Sequence, residues 1–168
     1  MEVWDLLNER GEKTGKTMVR GDKLRLGQYH LVVHIWVEDT AGRLLIQRRA
    51  DHLKLMPGMW AITGGSAVHG EDGETAARRE LREELGLDAA PGELLHISRM
   101  KRRNSFSDLW LLRRDVDREQ LVLQGEEVAD ARWVTREELV AMIRAKEFHN
   151  YGRAYFDRVF RFIYGHSS

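Results

Sequence analysis

Between residues 29 and 37 the apolar side chains fall at every second position, Leu31, Val33, Ile35 and Val37, the period of a strand with one buried face. Residues 44–47 read as its hairpin partner across Asp39-Thr40-Ala41-Gly42. Two short strands are predicted upstream, at 3–8 and 16–20, around the polar turn Arg10-Gly11-Glu12. A loop with Pro57-Gly58 leads to a short strand at 60–63 and then to Gly64-Gly65. Over 74–85 the period changes: Ala77, Leu81 and Leu85 stand four apart, and Gly86 follows at the position where a helix closes. Strands are predicted at 93–100, 107–113 and 129–134. Thr135 with Glu138 forms a capping box ahead of a helix to about residue 145. A last helix, 150–163, carries Tyr151, Tyr155, Phe156, Val159, Phe160 and Ile163 at helical spacing, a stripe that reads as core or dimer contact rather than a ligand box. Mixed strands with a few helices predict an α+β fold, helices on both faces of a mixed sheet.

The 168 residues suit a single domain able to bury roughly 70% of its unfolded surface, with no repeat and no dividing linker. Basic and acidic residues balance at 27 each, so no overall field draws the chain to a nucleic-acid polymer or a membrane. Cysteine is absent, which removes disulfides, zinc–thiolate sites and thiol nucleophiles together. The N-terminus lacks the basic and apolar regions of a signal peptide, and no apolar run approaches a membrane span of ~18 residues. A cytoplasmic protein is the expectation.

On the helix predicted at 74–85, Glu80, Glu83 and Glu84 fall within an arc of about 100° beside the buried stripe. Three like charges on one face cost a few tenths of a kcal/mol per pair, so something positive should justify them. Arg79 can offset one. A hard divalent cation, Mg²⁺ or Mn²⁺, can serve all three and also bridge phosphate oxygens. Gly64 and Gly65, lacking Cβ atoms, allow the backbone close to a metal or phosphate.

A solvated acidic face would explain the helix alone, but the surrounding residues are specific. Gly65, Glu71, Arg79, Glu80, Leu81, Glu83, Glu84, Gly86 and Leu87 match without a mismatch the pattern Gly, five residues, Glu, seven residues, Arg-Glu, an aliphatic, any, Glu-Glu, any, Gly, an aliphatic. The segment resembles the Nudix box. With Glu126-Glu127-Val128, Trp133-Val134 and Glu138-Leu139 further on, the chain resembles a complete Nudix domain over about 29–145, with the box at 65–87, a hairpin extension at 1–28 and a C-terminal helix within 146–168. The resemblance implies an α/β/α sandwich and metal-dependent hydrolysis of a diphosphate linkage in a small molecule, a nucleoside diphosphate derivative or similar compound. It implies Glu80, Glu83 and Glu84 as metal ligands, joined by the Gly65 carbonyl, with Glu71 and Arg79 as supports. Glu127, six residues before Trp133, matches a glutamate that binds metal or acts as base, and Glu126 is its alternative. Glu84 or Glu127 would take the proton of the attacking water.

Trp4-Asp5-Leu6-Leu7-Asn8-Glu9, Tyr29-His30 and Gln47-Arg48-Arg49 resemble the branch related to isopentenyl-diphosphate isomerase. That isomerase needs a cysteine and histidine ligands; this chain has no cysteine, and Ser66 stands where a Gly-His pair would supply a ligand. A non-catalytic nucleotide-sensing module would be free to lose box glutamates, and none is lost. Phosphohydrolase is the better reading.

Other signals are weaker. Gly11 to Thr17 resembles a phosphate-binding loop but is one residue short and lies in a predicted hairpin. His30 and His34 share a strand face and read as packing rather than a metal pair. His52, His69, His149 and His166 are scattered, with His69 nearest the box. Arg102, in the basic run 101–103, and Phe106, free to stack, are candidate substrate contacts at the cleft's rim. Arg48 and Arg49 adjoin, so one of the two can face the cleft. Lys54 and Trp60 are candidate substrate neighbours. The N-terminal hairpin and the final helix are candidates for a homodimer contact.

Overall fold

The computed structural model describes residues 1–165; His166 and the end of the predicted C-terminal segment lie outside the described residues. β1 (Val3–Leu7) and β2 (Lys13–Val19) form an antiparallel hairpin of their own, so the phosphate-loop look-alike is a turn and part of a strand. The main sheet is built on β3 (His30–Glu38). It runs parallel to β8 (Ser105–Arg113), and β7 (Leu95–Lys101) pairs antiparallel with β8 on the outside. On its other edge β3 takes β6 (Thr63–Ser66), with Val32 opposite Ser66 and His34 opposite Gly64. β4 (Leu44–Arg49) pairs with β9 (Val128–Val134) and with β5 (Trp60–Ala61).

Two local readings need correction. β3 and β4 pair only at Glu38–Leu44, next to their turn. The turn is tied by the Asp39 carboxylate, which accepts from the Ala41 and Arg43 amides at 3.0 and 2.8 Å. Beyond it β6 occupies the edge of β3 and β4 turns to β9, because an edge holds one neighbour at a time. The strand expected at 60–63 is two strands broken at Ile62: β5 joins β4, β6 joins β3, and Gly64 and Gly65 lie within β6.

Helices cover both faces, giving the α/β/α sandwich. α1 (Gly73–Leu85) starts at Asp72, whose side chain accepts from the Thr75 amide, and ends at Gly86 in a left-handed conformation (φ 70°). Its Ala76, Ala77, Leu81 and Leu85 pack on Val33, Ile35 and Leu45. On the opposite face α2 (Arg136–Arg144) and α3 (Arg153–Tyr164) bury Leu139, Met142, Tyr155, Phe156, Val159 and Phe160 against Trp36, Ile46, Leu109 and Leu111. The Thr135–Glu138 capping box forms in both directions, at 3.1 and 3.0 Å. The aromatic stripe of α3 is therefore core, and those buried side chains are not offered to a second copy. Tyr151 precedes the helix, which begins at Arg153 after Gly152. Among the described residues no helix is long and apolar enough to cross a membrane.

The box helix depends on that packing. Leu81 is 0% exposed, so Leu81→Ala is expected to cost about 3 kcal/mol and to lower Tm by roughly 6–12 °C, read by a thermal melt.

Candidate active site

Where α1 packs on β6 and β3, Glu80 and Glu84, one helical turn apart, are carried into the protein beside the apolar stripe. The Oε1 atom of Glu84 accepts from the Gly64 amide at 3.1 Å and from Gln47 Nε2 at 3.2 Å. Gln47 is held in turn by Thr63, whose hydroxyl donates to Gln47 Oε1 at 3.0 Å. Glu80 lies against Gly65: a Cβ there would come 2.5 Å from Glu80 Oε1, so no side chain fits between strand and carboxylate.

Arg79 organises the outer edge of this pair. It donates to both oxygens of Glu71, from Nε at 2.7 Å and from Nη2 at 2.9 Å. It also reaches Glu80 at 3.0 Å, Glu83 at 3.2 Å and the Ser66 carbonyl at 3.2 Å. Glu71 accepts from the Val68 amide at 2.8 Å, which pins the loop before α1 to the helix. Burial pushes the Glu71 carboxyl up, but the Arg79 guanidinium and the Val68 amide outweigh it and hold it below its usual range.

The buried pair behaves oppositely. Burial pushes Glu80 up to about 7 despite Arg79, with the charges of Glu83 and Glu127 adding to the rise. Burial pushes Glu84 up to about 8, helped by Glu80 and opposed by the Gly64 and Gln47 hydrogen bonds. Glu84 has amide donors but no ion-pair partner among the described residues. Glu127 is exposed, and among the described residues its carboxyl makes no hydrogen bond or ion pair, yet its charge is felt at both buried glutamates. Among the described residues no three carboxylates or imidazoles converge into a complete metal cage. Two buried carboxylates short of positive charge beneath a glycine backbone nonetheless fit a hard divalent cation, which takes one or two carboxylates and fills its remaining positions with water and phosphate oxygens.

The remaining candidates separate. Arg48 is engaged with Asp51 at 3.3 Å and lies near Asp130. Arg49 donates to the Leu55 carbonyl at 2.9 Å, and its charge reaches His149 and Tyr151. Lys54 is exposed on the loop before β5, with no ion pair among the described residues. Arg102 lies on the α3 side, donating to the Tyr151 carbonyl at 2.7 Å with its guanidinium 5.7 Å from the Tyr155 ring centre. Phe106 is a correction. It is the second residue of β8, is 6% exposed, and packs edge-on to Tyr29, so it is not free to stack on a substrate. Trp60 is capped by Arg132 at 4.9 Å. His30 stacks on Trp4, and His34 bonds Tyr155, so each has a separate aromatic partner. His69 is paired with Asp5 at 2.6 Å. Gln47 and Thr63 escaped the sequence reading; their signal is a polar side chain at a buried strand position.

Comparison with known proteins agrees with this architecture. A family model described as NUDIX domain matches residues 28–158. A Listeria monocytogenes protein named as a Nudix hydrolase is 44% identical over 158 residues, covering 90% of each chain. One from Escherichia coli K12, named likewise, is 31% identical over 149 residues, covering 86% of this chain and 78% of its own. A solved structure from Deinococcus radiodurans superposes with a TM-score of 0.79 over 97% of this chain and 99% of that one, at 29% identity.

Proposed function

This chain belongs to the Nudix family as a Nudix hydrolase, and from that footing we propose that it cuts a diphosphate linkage in a nucleoside diphosphate derivative or similar small molecule, with Mg²⁺ or Mn²⁺ held by Glu80, Glu83 and Glu84. The observation that carries the reading is the buried pair Glu80 and Glu84, set against Gly64 and Gly65 with Arg79 serving only the Glu80 side. The Gly65 carbonyl would add a backbone ligand to such an ion, and Glu71 and Arg79 keep the loop and helix in register. A bound divalent cation would supply charge neutralisation at the phosphoryl oxygens and a water of lowered pKa.

The protein's own groups do the rest. Glu127, exposed and without a competing partner among the described residues, takes the proton of the attacking water. The water oxygen bonds to phosphorus, the bond from phosphorus to the bridging oxygen breaks, and two phosphorylated products leave. Glu83, with its side chain 50% exposed, faces the solvent edge of the site, where the substrate enters. In this reading the protein works in the cytoplasm on a small molecule.

Glu127→Gln is expected to lower kcat about a hundredfold while changing KM little, read by steady-state kinetics on whichever diphosphate is turned over. Unchanged kcat would remove Glu127 from the role of base.

Cation binding should also show in stability. Both buried carboxyls have an ordinary value of 4.5 and rise on folding to about 7 and about 8. In that window the folded chain holds more protons than the unfolded one, so stability falls as pH rises from about 5 to about 8. In EDTA, Tm is expected to be lower at about pH 8 than at about pH 6, and Mg²⁺ or Mn²⁺ should restore it most at the higher pH. A Tm in EDTA that is level across this range would contradict the buried-charge account.

A further inference from the structure

On the α3 face of the sheet, directly behind Gly64, lies a set of side chains that the hydrolytic machinery does not use. His34 sits opposite Gly64 in the β3–β6 ladder, and a Cβ on Gly64 would come 2.8 Å from His34 Cδ2, so the imidazole lies against the strand whose amide serves Glu84. Trp36 Nε1, a donor only, donates to the Tyr155 hydroxyl at 3.1 Å. Tyr155 is fully buried, and its own proton has one acceptor in reach, His34 Nδ1 at 2.7 Å. The His34 proton therefore resides on Nε2. Among the described residues that nitrogen has no hydrogen-bond partner, and the buried side-chain polar atoms lacking partners are His30 Nδ1 and Trp110 Nε1 alone. His34 Nε2–H therefore keeps some contact with solvent, although the residue is mostly buried.

The neighbours of His34 share its character. The His34 ring is 5.0 Å from Tyr151, and His149 packs edge-on to Tyr151 at 4.5 Å. The charge of Arg102 is felt at His34 and His149, and that of Arg49 at His149 and Tyr151. Arg102 spends one N–H on the Tyr151 carbonyl and keeps others free. All five residues are intermediate in exposure, neither fully buried nor open. Of the charges felt at His34, His149 and Tyr151, the one carboxylate is Glu84, which reaches Tyr151 from the metal side. Two guanidiniums and a neutral imidazole donor, walled by tyrosine, match anionic oxygens.

We infer that His34, Arg102, Arg49 and His149 around Tyr151 form a second recognition pocket, which binds a phosphate or carboxylate group of the substrate lying beyond the phosphate that is attacked. The inference rests on the diphosphatase reading for its substrate, though not for its existence as an anion site. It narrows the substrate class to diphosphates that carry a further anionic group, or that place their second phosphate there.

The test uses the full chain in EDTA, where the unneutralised glutamates repel anions and binding reports on the basic pocket. Inorganic pyrophosphate is titrated while the ring ¹H–¹⁵N signals of His34 and His149 are followed by NMR. Saturable shifts at both rings are expected, with Kd raised about tenfold in Arg102→Gln and in Arg49→Gln. Arg49→Gln keeps the test valid should loss of Arg102 loosen Tyr151. Unmoved rings, or equal affinity in wild type and Arg49→Gln, would overturn the pocket. Turnover with Mg²⁺ is measured separately. An active enzyme with silent rings sinks the pocket alone, and bound pyrophosphate without turnover of any diphosphate sinks the hydrolase reading alone.

Discussion

Glu84→Gln is expected to lower kcat about a thousandfold and, in EDTA at about pH 8, to raise Tm. The substitution is isosteric. Its amide oxygen can still accept from the Gly64 N–H now bonded at 3.1 Å, so β6 and α1 should stay in register. What disappears is the charge. In the native chain that charge is buried beside Glu80 and within reach of Glu127, with two amide donors but no cation to balance it. Removing it relieves the metal-free fold and deprives a divalent ion of a ligand. The opposite signs of the two effects are the diagnostic. A carboxylate kept only for packing would lower Tm on substitution and leave kcat nearly unchanged. Kinetics at saturating Mg²⁺ or Mn²⁺ and melts in EDTA read the two sides.

Arg79→Met is expected to produce the largest loss of stability, about 3–5 kcal/mol, because it breaks a buried charge network by deleting its one cation. Arg79 is 19% exposed and its partners Glu71 and Glu80 are 11% and 10% exposed at their side chains. Without the guanidinium, Glu71 retains only the Val68 amide, and the Ser66 carbonyl loses its donor. A fall in Tm of roughly 10 °C follows for a chain of this length. Combining Arg79→Met with Glu71→Gln should recover part of the loss, since the orphaned charge goes with it. A Tm within about 2 °C of wild type would mean that the network is solvent-screened and contributes little.

The legible features of this chain are those written in local spacing. The register of α1, its closure at Gly86, the Thr135–Glu138 box and the alternation along β3 all follow from residues within a few positions of one another, and the structure has them where the spacing put them. The box residues could likewise be picked out as a set because they lie within 23 consecutive positions. Partners chosen over long range left no such trace. β3 and β4 look like a hairpin, yet β6 and β8 take the edges of β3, a competition that no local window contains. Phe106 follows a basic run and so looked like a rim residue; strand β8 begins one residue earlier and turns it inward against Tyr29. Gln47 is an ordinary strand residue until Thr63 and Glu84, 16 and 37 positions away, claim its two ends. The His34–Tyr155 bond spans 121 positions, which is why parity placed His34 on a face without revealing its partner.

The most direct test of the diphosphatase account is hydrolysis in H₂¹⁸O with Mg²⁺ or Mn²⁺, run against nucleoside diphosphate derivatives, pyrophosphate and isopentenyl diphosphate, with products weighed by mass spectrometry and Glu84→Gln alongside. The account predicts cleavage of at least one diphosphate, with a single ¹⁸O in one phosphorylated product and no product from the variant. Diphosphates recovered intact, or isopentenyl diphosphate rearranged without release of phosphate, would contradict it.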